Sequence, residues 1–120
     1  MTQTLGKTDY VQGVTGDVHQ PAANTAAVVT YAANATQRHV LDAIEFSIDT
    51  AAAAAATKLT VEDGSGNVIF ATRVGTALGR QRIVFDPPKA GTVNTAMIVT
   101  VSAPGGTSVA ALSCDHRILP

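Results

Sequence analysis

The chain has 120 residues, a formal net charge of −1, 14% charged and 4% aromatic residues, and one cysteine. That length accommodates one domain able to bury roughly two thirds of its extended-chain surface, and the near-neutral balance of interspersed signs gives no pull toward nucleic acid or an anionic membrane. With Cys114 alone, no intrachain disulfide is possible, and stability must come from packing or from neighbouring chains.

A surface so weakly charged gives little protection against association, so the composition predicts an oligomer or an assembly component. No stretch approaches the roughly eighteen apolar residues of a membrane span, and the start Met1-Thr2-Gln3-Thr4-Leu5-Gly6-Lys7 lacks the apolar core of a signal peptide. Synthesis in a cytoplasm is expected.

Residues 1–21 are polar and glycine-punctuated, with one short apolar patch at Tyr10, Val11 and Val14. Such a segment has too little to bury a core of its own and reads as an N-terminal arm whose apolar side chains would anchor on a partner. The body, 22–120, then begins. Ala26 to Ala33 reads as its first strand, β-branched at its centre and bounded by Asn24 and Asn34. Arg38 to Asp49 is the longest strand candidate, with Val40, Ile44, Phe46 and Ile48 on one parity. Asp42 falls on that apolar parity, which points to a bulge that shifts register near Leu41 in preference to a carboxylate at the sheet's end.

Thr50 to Thr57 holds six consecutive alanines. Propensity favours helix there, but the run is too short to stand alone, so it reads as a strand-to-strand crossing with at most one helical turn. The functional alternative is a small-residue surface where identical subunits approach. Lys58-Leu59-Thr60-Val61-Glu62 and Asn67-Val68-Ile69-Phe70-Ala71-Thr72-Arg73, joined by Asp63-Gly64-Ser65-Gly66, form a β-hairpin signal. Arg80 to Asp86 follows as a strand, which Pro87-Pro88 is expected to end because proline donates nothing to a ladder. Thr95 to Ser102 and Thr107 to Ile118 complete seven extended runs. With turn signals between them and no amphipathic helix, these runs predict an all-β fold, an antiparallel β-sandwich of jelly-roll-like build. Ile44, Phe46, Leu59, Val61, Ile83, Phe85, Met97 and Val99 are its expected core.

Chemistry is sparsely represented. Cys114-Asp115-His116 offers two potential metal ligands on a strand, and His19 and His39 are remote in sequence from them, so no metal site is expected. Asp17-x-His19 lacks a nucleophile elbow or an oxyanion loop nearby, so no catalytic residues are assigned and the chain reads as a non-enzyme. Asp63-Gly64-Ser65-Gly66-Asn67 lacks the alternating carboxylates of a calcium loop and reads as a turn. Arg73, Arg80 and Arg82 cluster in sequence, where they would either hold an acidic partner or charge a strand edge against pairing. No cofactor is expected.

One resemblance extends across the body. Pro21-x-x-Asn24-Thr25-Ala26, Thr36-x-Arg38-His39-Val40, Leu59-Thr60-Val61-x-Asp63-Gly64, Phe85-x-Pro87-Pro88-x-x-Gly91 and Asn94-Thr95-Ala96-x-x-Val99-Thr100-Val101-Ser102 succeed one another in an order that resembles small virion proteins of tailed bacteriophages, the capsid decoration or cement proteins. The resemblance implies a jelly-roll-like sandwich, often a homotrimer, that binds major capsid protein on the outer shell and carries no active site. A tail-fibre module that binds receptor or carbohydrate, and a tail or neck subunit, are the alternatives.

Overall fold

A computed structural model describes residues 17–120. Tyr10, Val11 and Val14 therefore lie outside the described residues. Among those described there is no α-helix, and eight strands follow one another: β1 (Val18–His19), β2 (Ala27–Tyr31), β3 (Arg38–Asp49), β4 (Thr57–Asp63), β5 (Val68–Val74), β6 (Gly79–Ala90), β7 (Met97–Val101) and β8 (Val109–Leu119). They form two four-stranded antiparallel sheets, ordered β1-β8-β3-β6 and β2-β7-β4-β5. First pairs with last, second with seventh, third with sixth and fourth with fifth. The chain is thus doubled back along its whole length, and the β3–β8 and β7–β4 ladders join the doubled ribbon into sheets.

Period-two alternation decides what lies between them. Ile44, Phe46 and Ile48 of β3, with Ala110, Leu112 and Cys114 of β8, share one apolar cluster with Val29 of β2, Leu59 and Val61 of β4, and Met97, Val99 and Val101 of β7. Each large side chain so buried contributes roughly 1.5–3 kcal/mol. Of the expected core only Ile83 is partly buried, packing against the cluster's margin. Ile118, on the same parity as Leu112, is 43% exposed at the end of β8.

The bulge is where the carboxylate predicted it. Register shifts between Leu41 and Ala43 against both β8 and β6, so Leu41 before the bulge and Ile44 after it both enter the core while Asp42 stays partly exposed and meets Arg117 Nε at 2.9 Å. Without the extra residue, one of the two apolar sets would face solvent.

Two expectations are corrected, and the alanine run is the strand-to-strand crossing that was expected. Pro87-Pro88 does not end its strand: β6 continues to Ala90, through a cis Asp86–Pro87 bond. β6 is an edge strand, and its register jumps from Val84 opposite Ala43 to Lys89 opposite Leu41. The prolines fall in the unpaired stretch, where no ladder donor is missed. The alanine run makes no helical turn; Ala53 N donates to Thr76 O, and Ala54 N and Ala55 N both donate to Pro104 O, at 2.8–2.9 Å. Tertiary hydrogen bonds outweigh alanine's helical preference, which is small per residue. Finally, Val18 and His19, placed in the arm by composition, pair with Ser113 and Leu112 of β8.

Two tests follow from this packing. The far-ultraviolet circular dichroism of the purified chain should be β-dominated, and Phe46→Ala should lower unfolding free energy by about 3–5 kcal/mol in a denaturant titration. A loss under about 1 kcal/mol would mean that the ring is not packed as described.

Candidate functional site

Most of the chemistry-bearing residues lie where β1, β2, β3 and β8 meet. Tyr31, the last residue of β2, stacks on His116 of β8 with ring centroids 3.6 Å apart and an interplanar angle of 7°. Its hydroxyl donates to Asp17 Oδ1 just before β1. His116 Nε2 lies 2.8 Å from Nδ1 of His39 on β3, whose Nε2 lies 2.6 Å from Ala32 O. His19 Nδ1 accepts the Val28 backbone N–H at 2.9 Å. β1 is hydrogen-bonded to β8 in one sheet, and through His19 it also covers the edge of β2 in the other.

Burial sets the electrostatics. Desolvation is the largest effect on the Asp17 carboxyl and holds it above the usual carboxylate range, with the Tyr31 bond opposing and Asp115 reinforcing. The Tyr31 hydroxyl is driven far upward by burial and by Cys114 and Asp17 beside it. Burial also pushes the Cys114 thiol up to about 12. His116 is lowered to about 4, by burial first and His39 second, with Asp42 opposing. At neutral pH Tyr31 and His116 therefore stack as neutral rings, with Cys114 an inert thiol.

The sequence did not reveal this juxtaposition. It placed His39 as remote from His116, yet antiparallel pairing of β3 with β8 sets His39 opposite Ile118 and Leu41 opposite His116, bringing the rings together. The available signal was parity: His116 follows Leu112 and Cys114 on the inward face. Among the described residues, no group of three His, Cys, Asp or Glu is placed to hold a metal ion.

The three arginines separate. Arg73 lies on β5 opposite Lys58, whereas Arg80 and Arg82 lie on β6 in the other sheet. Arg80 pairs with Glu45 at 3.2 Å, and Arg82 reaches Asp115 at 2.6 Å and Glu45 at 3.5 Å. Arg80 and Arg82 are answered within the chain, and Arg73 lies apart from them on the other sheet. Asp63 of the turn receives Thr92 N at 3.0 Å and Thr92 Oγ1 at 2.7 Å, which joins the β4–β5 hairpin to the loop before β7. The alanine run meets glycine: a Cβ on Gly105 would lie 3.1 Å from Ala55 N and 3.2 Å from Ala55 Cβ. Small residues are required there by contact within one chain.

The two outer faces differ in kind. That of the β1-β8-β3-β6 sheet carries Glu45, Arg82 and Asp115 in linked ion pairs. On the other sheet, register aligns Val28, Thr100, Thr60 and Ala71 in one row across all four strands, and Thr30, Ile98 and Glu62 in the next. Charge there is confined to Glu62 at one end and to Lys58 and Arg73 at the other. The centre of this face is a neutral Thr/Val/Ile/Ala surface.

No protein-family model matches the chain, and no curated protein matches it.

The thiol offers a direct check on this end of the molecule. At about pH 8, Cys114 should resist alkylation by iodoacetamide in the folded protein and react within minutes in denaturant, read by mass spectrometry. Rapid labelling of the native chain would mean that this end stands open.

Proposed function

We propose that the chain is a structural virion protein, a jelly-roll-like β-sandwich that binds the outer surface of a phage capsid and reinforces the shell as a homotrimer. The observation that carries the reading is the strand order. Pairing first with last through fourth with fifth, in sheets β1-β8-β3-β6 and β2-β7-β4-β5, supports a jelly roll, an eight-stranded architecture used in viral capsid and lectin domains. The motifs carrying the resemblance fall before β2, at the start of β3, and through β4, β6 and β7. Fold alone does not specify function, so the surface supplies the second support: the neutral row Val28-Thr100-Thr60-Ala71 can be covered by protein without stripping water from a charge.

The mechanism is avidity. A rigid trimer presents three copies of one modest contact, and the second and third bind as intramolecular events, so a small interface holds the shell tightly. Tyr10, Val11 and Val14 are assigned to capsid or neighbour contact, as apolar side chains in a polar arm.

Light scattering on the purified chain at tens of micromolar should give a trimer, and a monomer would remove the avidity argument. Thr100→Glu should weaken binding to empty capsids by roughly tenfold or more per contact while leaving thermal unfolding nearly unchanged. Unaltered capsid binding would remove this face from the interface.

Deleting Thr2 to Val14 tests the arm separately. The truncated chain should unfold at nearly the temperature of the full chain and bind empty capsids more weakly, because the lost energy belongs to the interface. Undiminished binding would leave the arm without this role.

A further inference from the structure

We propose that the outer edge of β5 accepts an extended segment of a partner protein as a fifth strand of the β2-β7-β4-β5 sheet, with a carboxylate of that segment held between Lys58 and Arg73. Which protein supplies the segment rests on the shell-binding reading. The chemistry of the edge rests on two observations of its own.

Four strands stand at the sheet edges, and three of them are guarded against pairing. β1 is two residues long, and β8 beyond it carries Asp115 and Arg117. β2 is covered through the bond from Val28 N to His19. β6 carries Arg80, Arg82 and two prolines. β5 has a bulge at Ile69, where Val61 faces Phe70 and Glu62 faces Val68, and is otherwise open. From Phe70 to Val74 it has no proline, no glycine and a single charge, and among the described residues only β4 hydrogen-bonds to its backbone. Alternate N–H and C=O groups of a strand so placed point away from the sheet and template another strand.

The second observation is a pair of cations that no carboxylate among the described residues answers. Lys58 on β4 and Arg73 on β5 stand directly opposite each other, both exposed on the outer face. Like charges so placed destabilise a sheet. Arg80, Arg82 and Arg117 hold carboxylates and Lys89 lies over the Phe70 and Phe85 rings, which leaves Arg38 alone at the start of β3 and these two together. Glu62, the acid on their own face, is four residues along β4, about 13 Å away. Edge protection accounts for Arg73, but Lys58 sits on an interior strand with no edge to protect.

Together these select one occupant. A second β5 would bring another Arg73 and no carboxylate, because Arg73 is the only charged residue of that strand. A partner segment laid along Phe70 to Val74 satisfies the outward backbone groups and places a carboxylate beside Arg73 for a charge-assisted bond. It also continues the neutral row Val28-Thr100-Thr60-Ala71 by one strand. Backbone bonds supply affinity for an extended segment in general, and the cation pair selects one that bears an acid.

Hydrogen exchange on the full chain tests the edge with a synthetic probe, a blocked peptide of alternating threonine and valine that carries one glutamate. At about tenfold excess over its dissociation constant, the peptide should slow exchange of the outward amides between Phe70 and Val74 by roughly tenfold. The same peptide with lysine in place of glutamate should bind far more weakly. Empty capsids should protect the same segment, and Lys58→Gln with Arg73→Gln should weaken capsid binding by roughly tenfold or more and flatten its salt dependence. Thermal unfolding of that double variant should be no lower, because two facing like charges are gone. Capsid binding that leaves Phe70 to Val74 unprotected, or that is unchanged in the double variant, overturns the inference and leaves the shell-binding reading standing. Protection by the peptide without any capsid binding supports the edge and removes that reading. Protection of β5 that grows with concentration of the isolated chain would put a second copy there, and protection abolished by deleting Thr2 to Val14 would put the chain's own first residues there; either overturns the inference.

Discussion

The β3–β8 ladder is the constraint on which the rest of the structure depends. It runs from Arg38↔Leu119 to Asp49↔Val109 and places the end of the chain against its middle, so β1 has β8 to pair with and β6 has β3. Pairing so distant in sequence must meet the cost of loop closure before it gains its contacts. Its inward side is correspondingly apolar, with Ile44 opposite Cys114, Phe46 opposite Leu112 and Ile48 opposite Ala110. Asp42 is what lets one strand serve both ends of this ladder. By bulging, it turns its own carboxylate out to Arg117 and returns Leu41 and Ile44 to the same side.

The same ladder explains why the two outer faces diverge. Outside it, Glu45, Arg82 and Asp115 stand on adjacent strands and neutralise one another. Exposed pairs of this kind add little stability. They do make the face costly to cover, because each charge would lose water and gain no new partner. The opposite sheet has Thr60 and Thr100 at its centre, side by side in register, and covering them with a surface that offers hydrogen-bond partners carries no such cost. Weak charge overall thus resolves into one face that is charged and locally neutralised and one that is neutral.

What was legible in the sequence was whatever period two and turn chemistry control. Arg38 to Asp49 has its observed bounds, the bulge follows from one misplaced carboxylate, and Asp63-Gly64-Ser65-Gly66 turns with Gly64 and Gly66 at φ of 83° and 86°, values that glycine accepts without strain. What was not legible shares a cause: each residue's role depends on a neighbour that local pattern cannot supply. Pro87 and Pro88 are tolerated because β6 is an edge strand and the bulge lies opposite. The alanines are fixed by Pro104 and Gly105 from a distant loop. β1 is two residues long and exists through β8. His39 and His116 meet because the sheet order brings them together, and the sheet order is not written in either strand.

The fate of the aromatic residues bears on the choice between the proposed shell-binding role and a glycan-binding one. Recognition of a sugar by such a fold needs a flat aromatic face presented to solvent, whose apolar area stacks on the ring carbons. This chain has no tryptophan. Tyr31, 7% exposed, has its face against His116 and its hydroxyl on Asp17. Phe46 is buried, and Phe70 and Phe85 meet edge to face with centroids 4.9 Å apart beneath Lys89. Among the described residues the aromatic groups are spent on closing the interior, and the uncharged outer face of the β2-β7-β4-β5 sheet is left with threonine, alanine and β-branched side chains at its centre. A surface of that kind gains by being covered with another protein, where many small contacts add up, and gains little from a sugar, which needs a few strong ones. That is the physical ground on which the shell-binding role is proposed ahead of a glycan-binding one.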